Sequence, residues 1–522
     1  MIGVLFLNDS AEAGRYVVAA IQRSVSVAQA QRISRGSIDQ VADTIVAVDV
    51  PDALGEELAR WLRDRPRKLI VFGRMPQALA GLLSYQVSDD PATLQTAARS
   101  EPAPSREWRE SGAAVQYTPL AKTLGAQRWH RPFERFDFTD EWNNLGFGAI
   151  RADASIWSVA GAAQVPLEAE LAAVHVDGER RFSYAALWDV ASSSVLWFNR
   201  KVGPCDSFEW RAVENFLSAY RASQLPCHPV LCEIPWGADA AITSRLDCDE
   251  DVESARPLWQ TYQRLGVPFT LAVHTQNLGN PEHFPILREL LADGGAVLSH
   301  TATHAPNWGG SYEAALQEGL SSAALIQDVI GLRPRYAVSP FHQTPPYALQ
   351  ALSDAGYDGC IGGIIRNDPE FVIGRGGALA DLPPGFIGHS QQCMLHGDCV
   401  LAQGDPLAIF KQAFDLAFET NTLFGYLDHP FSSRYSYGWS DEPARIAVHE
   451  QFIAYMKSRA AKPLFMTEDA AMDFIRYKSL TQVVMENGVL RSWNPSSATA
   501  PFPLCVELAG ERLPLEPRTA PR

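Results

Sequence analysis

Apolar positions in this chain fall into short runs separated by stretches whose apolar residues recur three and four apart. IGVLFL, TIVAVDV and KLIVFG are such runs, and AEAGRYVVAAIQRSV and ALGEELARWLRD lie between them with helical spacing. Strands alternating with helices predict a parallel sheet with helices on its faces. Residues 1–145 are therefore expected to form a Rossmann- or flavodoxin-like α/β domain, ending in a linker rich in Pro, Ser and charge from about residue 86. No GxGxxG follows the first run and no Walker pattern occurs, so this domain is expected to be structural or a docking element rather than a cofactor site. Residues 146–237 change period. GAIRADASIWSVAG, AELAAVHVDGERRFSYAALWDV and SSVLWFNRKVG alternate and are aromatic, with a tight turn at Asp177-Gly178. They predict a β-rich domain with one helix, WRAVENFLSAYRAS.

From residue 238 the strand–helix alternation becomes regular. AAITSRLD, VPFTLAVH, AVLSH, RYAVSP, DGCIGG, TLFGYLDH and PLFMT are strands, separated by helical stretches such as SYEAALQEGLSSAALIQDVIG. About seven βα units over 238–478 predict a parallel barrel. The expected fold class is α/β: a distorted (β/α)7 barrel preceded by the Rossmann/flavodoxin-like domain and the β-rich domain. Residues 479–522 form a small β appendage. The stretch 364–404 is expected to be irregular and to shape one wall of a pocket.

The bulk numbers narrow the function. The 522 residues exceed one ordinary domain of about 100–200. A net charge of −16 disfavours nucleic acid as a partner. No apolar stretch reaches the roughly 20 residues of a membrane span, and MIGVLFLNDS lacks the features of a signal peptide, so a cytoplasmic protein is expected. The eight cysteines show no CxxC pair or regular spacing and are expected to be reduced core thiols.

Active sites of βα barrels lie at the C-terminal ends of the strands. The first strand ends in Leu246-Asp247-Cys248-Asp249-Glu250-Asp251, the second near His274 and the third at His300, with His304 four residues on. The fourth ends at Ser339-Pro340-Phe341-His342 and a late one at Asp428-His429-Pro430. Acids and histidines thus converge on one rim. Histidines four apart are expected on one side of a helical turn, and a carboxylate from another strand can complete a His-His-carboxylate metal set. The acids at the end of the first strand, Asp247, Asp249, Glu250 and Asp251, are the carboxylates on offer. Trp308 follows His304, and Tyr435, Tyr437 and Trp439 follow His429. Such rings can stack on the apolar faces of a sugar or simply pack their own loops.

SRLDCDED, His300-Thr301-Ala302-Thr303-His304 and YLDHPF, in that order, resemble the motifs of the polysaccharide deacetylases (carbohydrate esterase family 4, the nodulation-protein-B homology domain), over about residues 240–478. The resemblance implies a metal-dependent hydrolase that removes an N-acetyl group from an amino-sugar unit of a polysaccharide or glycan precursor. Asp247 would be the general base, His429 the general acid, and Asp249, His300 and His304 the ligands of one divalent metal, zinc first, with cobalt, nickel or iron compatible. Water acidified by the metal would attack the amide, a poor electrophile that needs such help. Substrate contacts are expected from Trp308, Ser339, Phe341, His342, Tyr435 and Trp439.

The family usually carries an arginine in an Arg-Pro-Pro-Tyr-like stretch, where it orients the base. Here RPRYAVSPFHQTPP puts Ser339 at that position if Pro340 is the motif proline; Arg333 and Arg335 lie at the start of the strand, and His342 or Arg366 are the candidates to take over. Two other readings stay open: hydrolysis of a non-sugar linear or cyclic amide, and a sugar-binding pseudoenzyme.

Overall fold

The computed structural model describes residues 1–88, 91–98, 113–126, 130–132, 152–362, 374–432, 434–496 and 499–519. Most of the expected linker, and Arg366, lie outside them. The chain is mixed α/β and is built on two large sheets. In the first, Ala30–Ile33, Ile2–Leu5, Thr44–Val48 and Lys68–Phe72 lie side by side and parallel. Thr44–Val48 and Lys68–Phe72 are buried at every position, which is why they read as unbroken apolar runs. Ser193–Phe198 then adds in parallel to Lys68–Phe72, and Glu179–Val190, Glu170–Val176 and Ala113–Tyr117 continue the sheet antiparallel. Strands of 1–145 and of 146–237 thus share one eleven-stranded sheet. Asp177 and Gly178, both left-handed at φ 51° and 79°, make the tight turn between Glu170–Val176 and Glu179–Val190.

The second sheet is a distorted, barrel-like ring of parallel strands. Gly359–Gly362, Tyr336–Val338, Ala296–Ser299, Thr270–Val273, Ala240–Cys248 and Phe424–Asp428 are neighbours in that order. The ring closes through a stretch expected to be irregular. Ile387–Ser390 pairs with Gly359–Gly362, and after two intervening residues Cys393–Met394 pairs with Phe424–Asp428. Between them the Gln392 N–H donates to the Gly425 carbonyl at 3.0 Å. IGHSQQCM lacks the apolar signature of a barrel strand because its glutamine amides find acceptors inside: the Gln391 amide donates to Glu468, and that of Gln392 to the Ser390 carbonyl at 2.5 Å. A further strand, Pro463–Met466, pairs with the first half of Ala240–Cys248, below the point where Thr270–Val273 joins it. This doubling distorts the ring.

One hydrophobic core runs from Ile2, Val4 and Phe72 of the first sheet through Trp210 and Phe216 to Ile242, Phe424 and Phe452 of the barrel. Two three-stranded sheets finish the chain, and one of them pairs Leu504–Leu508 with Val230–Leu231, just before the barrel. Among the described residues, no helix is long and apolar enough to cross a membrane.

Candidate metal centre

Asp249 follows the barrel strand Ala240–Cys248, and His300 follows Ala296–Ser299. His300 Nε2 lies 3.3 Å from Asp249 Oδ1, His304 Nε2 lies 3.5 Å from the same oxygen, and the two imidazole nitrogens are 3.1 Å apart. Three donors around one ion at bonds of about 2.1 Å stand about 3.0–3.4 Å from one another, so the separations fit a shared cation. The donor chemistry fits as well. His300 Nδ1 is 3.2 Å from the Val338 carbonyl, which only accepts, so Nδ1 carries a proton and, in the neutral ring, Nε2 presents a lone pair. Asp249 Oδ1 is buried and accepts no hydrogen bond.

The His300–His304 segment is not the helical turn its spacing suggests. Thr301 and His304 are left-handed, at φ 67° and 54°. The loop is held from outside: the Glu318 carboxylate accepts from the N–H groups of Ala302 and Thr303, both at 2.8 Å, and from the Thr303 hydroxyl at 2.6 Å. Burial, then the neighbouring His300, lowers His304 to about 4, so it is neutral at pH 7, the state metal binding requires. Burial alone would raise the Asp249 carboxyl; the facing imidazoles, His300 first, pull it far below the usual range when they carry a proton. His274 stands beside them, its Nδ1 donating to the Asp249 backbone carbonyl at 3.0 Å.

Asp247 is gripped by Arg245, two residues back on the same strand. Arg245 Nε donates to Asp247 Oδ1 at 2.6 Å and Nη2 to Oδ2 at 3.3 Å, while Nη1 reaches both oxygens of Glu468 at 3.0 and 3.1 Å. All three side chains are buried. Burial would raise the Asp247 carboxyl, but Arg245, with His300, brings it down to about 2. An arginine does accompany this acid, then, from the acid's own strand rather than from the stretch around Ser339. Strand alternation places 245, 247 and 249 alike, and that was the available signal in SRLDCDED. Ser339 itself is buried, its hydroxyl 2.8 Å from the Thr344 hydroxyl and 3.3 Å from Cys360 Sγ. His342 is buried next to the acid, and burial lowers it to about 3.

His429 Nε2 is 3.5 Å from Asp249 Oδ2, and its Nδ1 is 2.9 Å from His396 Nε2. His396 carries no motif in the sequence; it comes from just beyond the polar strand that closes the ring. It is buried, which lowers it to about 3, and it sits 4.0 Å from Asp428. His396, Asp428 and His429 are close enough to suggest a second metal set. Asp428 is already engaged by Arg445 at 2.7 Å, His449 at 2.9 Å and the Trp439 indole at 3.3 Å, so a cation there would face a guanidinium. The cluster serves better as a support for His429.

The expected aromatic platform is only partly available. Trp308 is fully buried with its indole N–H on the Gln343 carbonyl, and Trp439 is buried on Asp428, so neither can stack on a ligand. Tyr435 is 38% exposed. The Phe341 ring lies 4.4 Å from that of His304. Thr301, His304, Asn307, Trp308, Phe341, His342 and Tyr437 all have positive φ, a concentration of costly backbone around this one centre.

Residues 247–360 match the polysaccharide deacetylase family. The matching stretch begins at Asp247 and includes Asp249, His300 and His304, whereas His396, His429 and Glu468 come from beyond it. Among solved structures, the chain is similar to a Mycobacterium smegmatis protein described as a polysaccharide deacetylase, at 13% identity and a TM-score of 0.38 over 49% of this chain and 97% of that one. It is similar to the PuuE allantoinase, at 14% and 0.37 over 46% and 91%. It is also similar to a family 4 acetyl xylan esterase from Clostridium thermocellum in complex with a cobalt ion, at 16% and 0.30 over 44% and 89%. At these TM-scores the likenesses carry no argument about chemistry. No curated protein matches the chain.

Proposed function

We propose that this chain is a metal-dependent hydrolase that removes the acetyl group from an N-acetylated carbohydrate. The observation that carries the reading is the meeting of Asp249, His300 and His304 with a clamped acid, Asp247, and a supported imidazole, His429, at the C-terminal ends of the barrel strands. A divalent ion held by Asp249, His300 and His304 would supply a Lewis acid for the amide carbonyl and a water made acidic enough to attack it. Asp247, kept ionised by Arg245, is the residue that would accept a proton from the attacking water. His429 gives a proton from Nε2 to the departing amine, and His396 on Nδ1 keeps the ring turned for it. The C–N bond breaks, and acetate and a free amino sugar leave.

A second reading has one observation in its favour. With Trp308 and Trp439 buried, a flat sugar-stacking surface is largely missing, which suits a small linear or cyclic amide. A pseudoenzyme would have no use for a clamped base and a supported acid together.

Elemental analysis of the purified protein, beside His300→Ala and Asp249→Ala, tests the centre. About one divalent metal per chain, lost in both variants, is expected. Acetate release from N-acetylated sugars, against ammonia or amine release from simple amides, then separates the two substrates. A wild-type protein that holds no metal and takes up neither zinc nor cobalt would sink the hydrolase.

A further inference from the structure

We propose that Tyr437 is a positioning residue of this centre, tying the metal carboxylate to the acid imidazole. The proposal rests on the function proposed above and deepens it. The Tyr437 ring lies flat against His429, with centroids 3.9 Å apart and planes at 12°. Its hydroxyl donates to Asp249 Oδ2 at 3.3 Å. One side chain therefore touches both halves of the machinery.

The backbone explains how the ring is held there. Tyr437 is left-handed, at φ 46°, and its carbonyl accepts from the Gly397 N–H at 3.0 Å. Gly438 crosses Gly397 and Asp398 so closely that a Cβ on Gly438 would lie 2.3 Å from the Asp398 nitrogen, and one on Gly397 would lie 2.3 Å from the Gly438 carbonyl carbon. Two glycines pressed together lock this loop onto the segment that carries His396, so Tyr437 and His396 brace His429 as a unit. The Tyr437 and His396 rings are 5.2 Å apart.

The chemistry follows from the two contacts. The phenol has one proton to donate, and Asp249 Oδ2 receives it. That leaves Oδ1, buried and accepting no hydrogen bond, as the single oxygen offered to a cation. Tyr437 thereby makes Asp249 a one-oxygen ligand and fixes its rotation. The stack sets the plane of the His429 ring, keeping Nε2 beside the centre. One face of Tyr437 is already covered by His429, so that face is closed to a sugar ring.

Cobalt(II) titration of metal-stripped protein, read by visible absorption, tests this with Tyr437→Phe and Tyr437→Leu. Phe keeps the stack and loses the hydroxyl; Leu loses both. Tyr437→Phe is expected to bind cobalt 10-fold or more weakly and to change the pattern of its absorption bands. Tyr437→Leu is expected to match it in affinity and to lose a further 10-fold or more in kcat for acetate release with KM retained. A wild type that binds cobalt while Tyr437→Phe shows the same affinity and spectrum overturns the role of Tyr437 and leaves the hydrolase standing. A wild type that takes up no cobalt overturns both.

Discussion

The residue that does most for this centre without touching a metal ligand is Arg245. Its guanidinium is shared between Asp247 and Glu468, two buried carboxylates that would repel each other without it. Replacing it with a neutral side chain strands two charges in the interior, a change that typically costs about 3–5 kcal/mol. Arg245→Met is therefore expected to lower the unfolding free energy, read from urea denaturation, by about that much. Arg245→Lys keeps the charge but loses the two-pronged grip. With that grip weakened, burial raises the Asp247 carboxyl, so the acidic limb of kcat/KM is expected to move to higher pH; a pH–rate profile reads this directly. The arginine was visible in SRLDCDED by alternation, but nothing local reports that its other partner, Glu468, lies 223 residues away.

The loop from His300 to His304 shows how an element can carry a motif without the conformation its spacing implies. Spacing of four suits a helix, yet this segment turns left-handed twice, because its N–H groups are satisfied by Glu318 rather than by carbonyls one turn back. Glu318 projects from the helix Tyr312–Ile330, whose start is capped by the Ser311 hydroxyl accepting from the Ala314 N–H. Glu318→Ala removes three hydrogen bonds from the loop and none from a metal ligand's ring. Metal affinity is expected to fall about 10- to 100-fold, as for other partners that orient ligands. Competition with a chelator measures it, and an unchanged affinity would show that the strained loop holds its shape unaided.

At the scale of the whole molecule, the two sheets share a core and a buried pin. Arg375, next to the barrel, donates to both oxygens of Glu214 on the helix Trp210–Ser218 at 2.9 and 2.7 Å, to the Ser207 carbonyl at 3.1 Å and to the Thr420 carbonyl at 2.8 Å. Glu214 also accepts from the Ser24 hydroxyl of the first helix. Arg375→Met is expected to cost about 3–5 kcal/mol, and calorimetry should then resolve the barrel from the first sheet as separate transitions. Stability should also depend on pH. Burial lowers His228, His342 and His396 to about 3 and His389 to about 4. Unfolding frees each to take a proton near pH 6.5. Below that pH the unfolded chain binds more protons, so stability falls as pH drops from about 6.5 towards 3–4. Asp247, lowered to about 2, and Asp428, held well below its usual range by Arg445 and His449 against the pull of burial, add a further loss below about pH 4. Urea midpoints should hold level from pH 8 to about 7 and decline from there to pH 5; a profile flat throughout would mean these histidines are protonated in the native state.

By itself the sequence determined the alternation of buried apolar runs with amphipathic stretches, since parallel strands covered on both faces must be apolar and their connecting helices two-sided. It also determined that Asp249, His300, His304 and His429 lie just past strand ends, because a motif's position relative to its strand is a local property. What only the tertiary structure decided is non-local. IGHSQQCM closes the barrel because Glu468 and the backbone accept from its glutamine amides. Trp308 is a packing residue because Gln343, from the next strand's end, takes its indole N–H, and Trp439 because its loop folds back onto Asp428. Strands of 1–145 and 146–237 join in one sheet because Lys68–Phe72 pairs with Ser193–Phe198. His396 and Tyr437 reach His429 through a glycine crossing that no periodicity announces. Period reports which face of an element is buried, whereas hydrogen-bond partners and ring contacts are chosen by chain segments that meet only once the fold has formed.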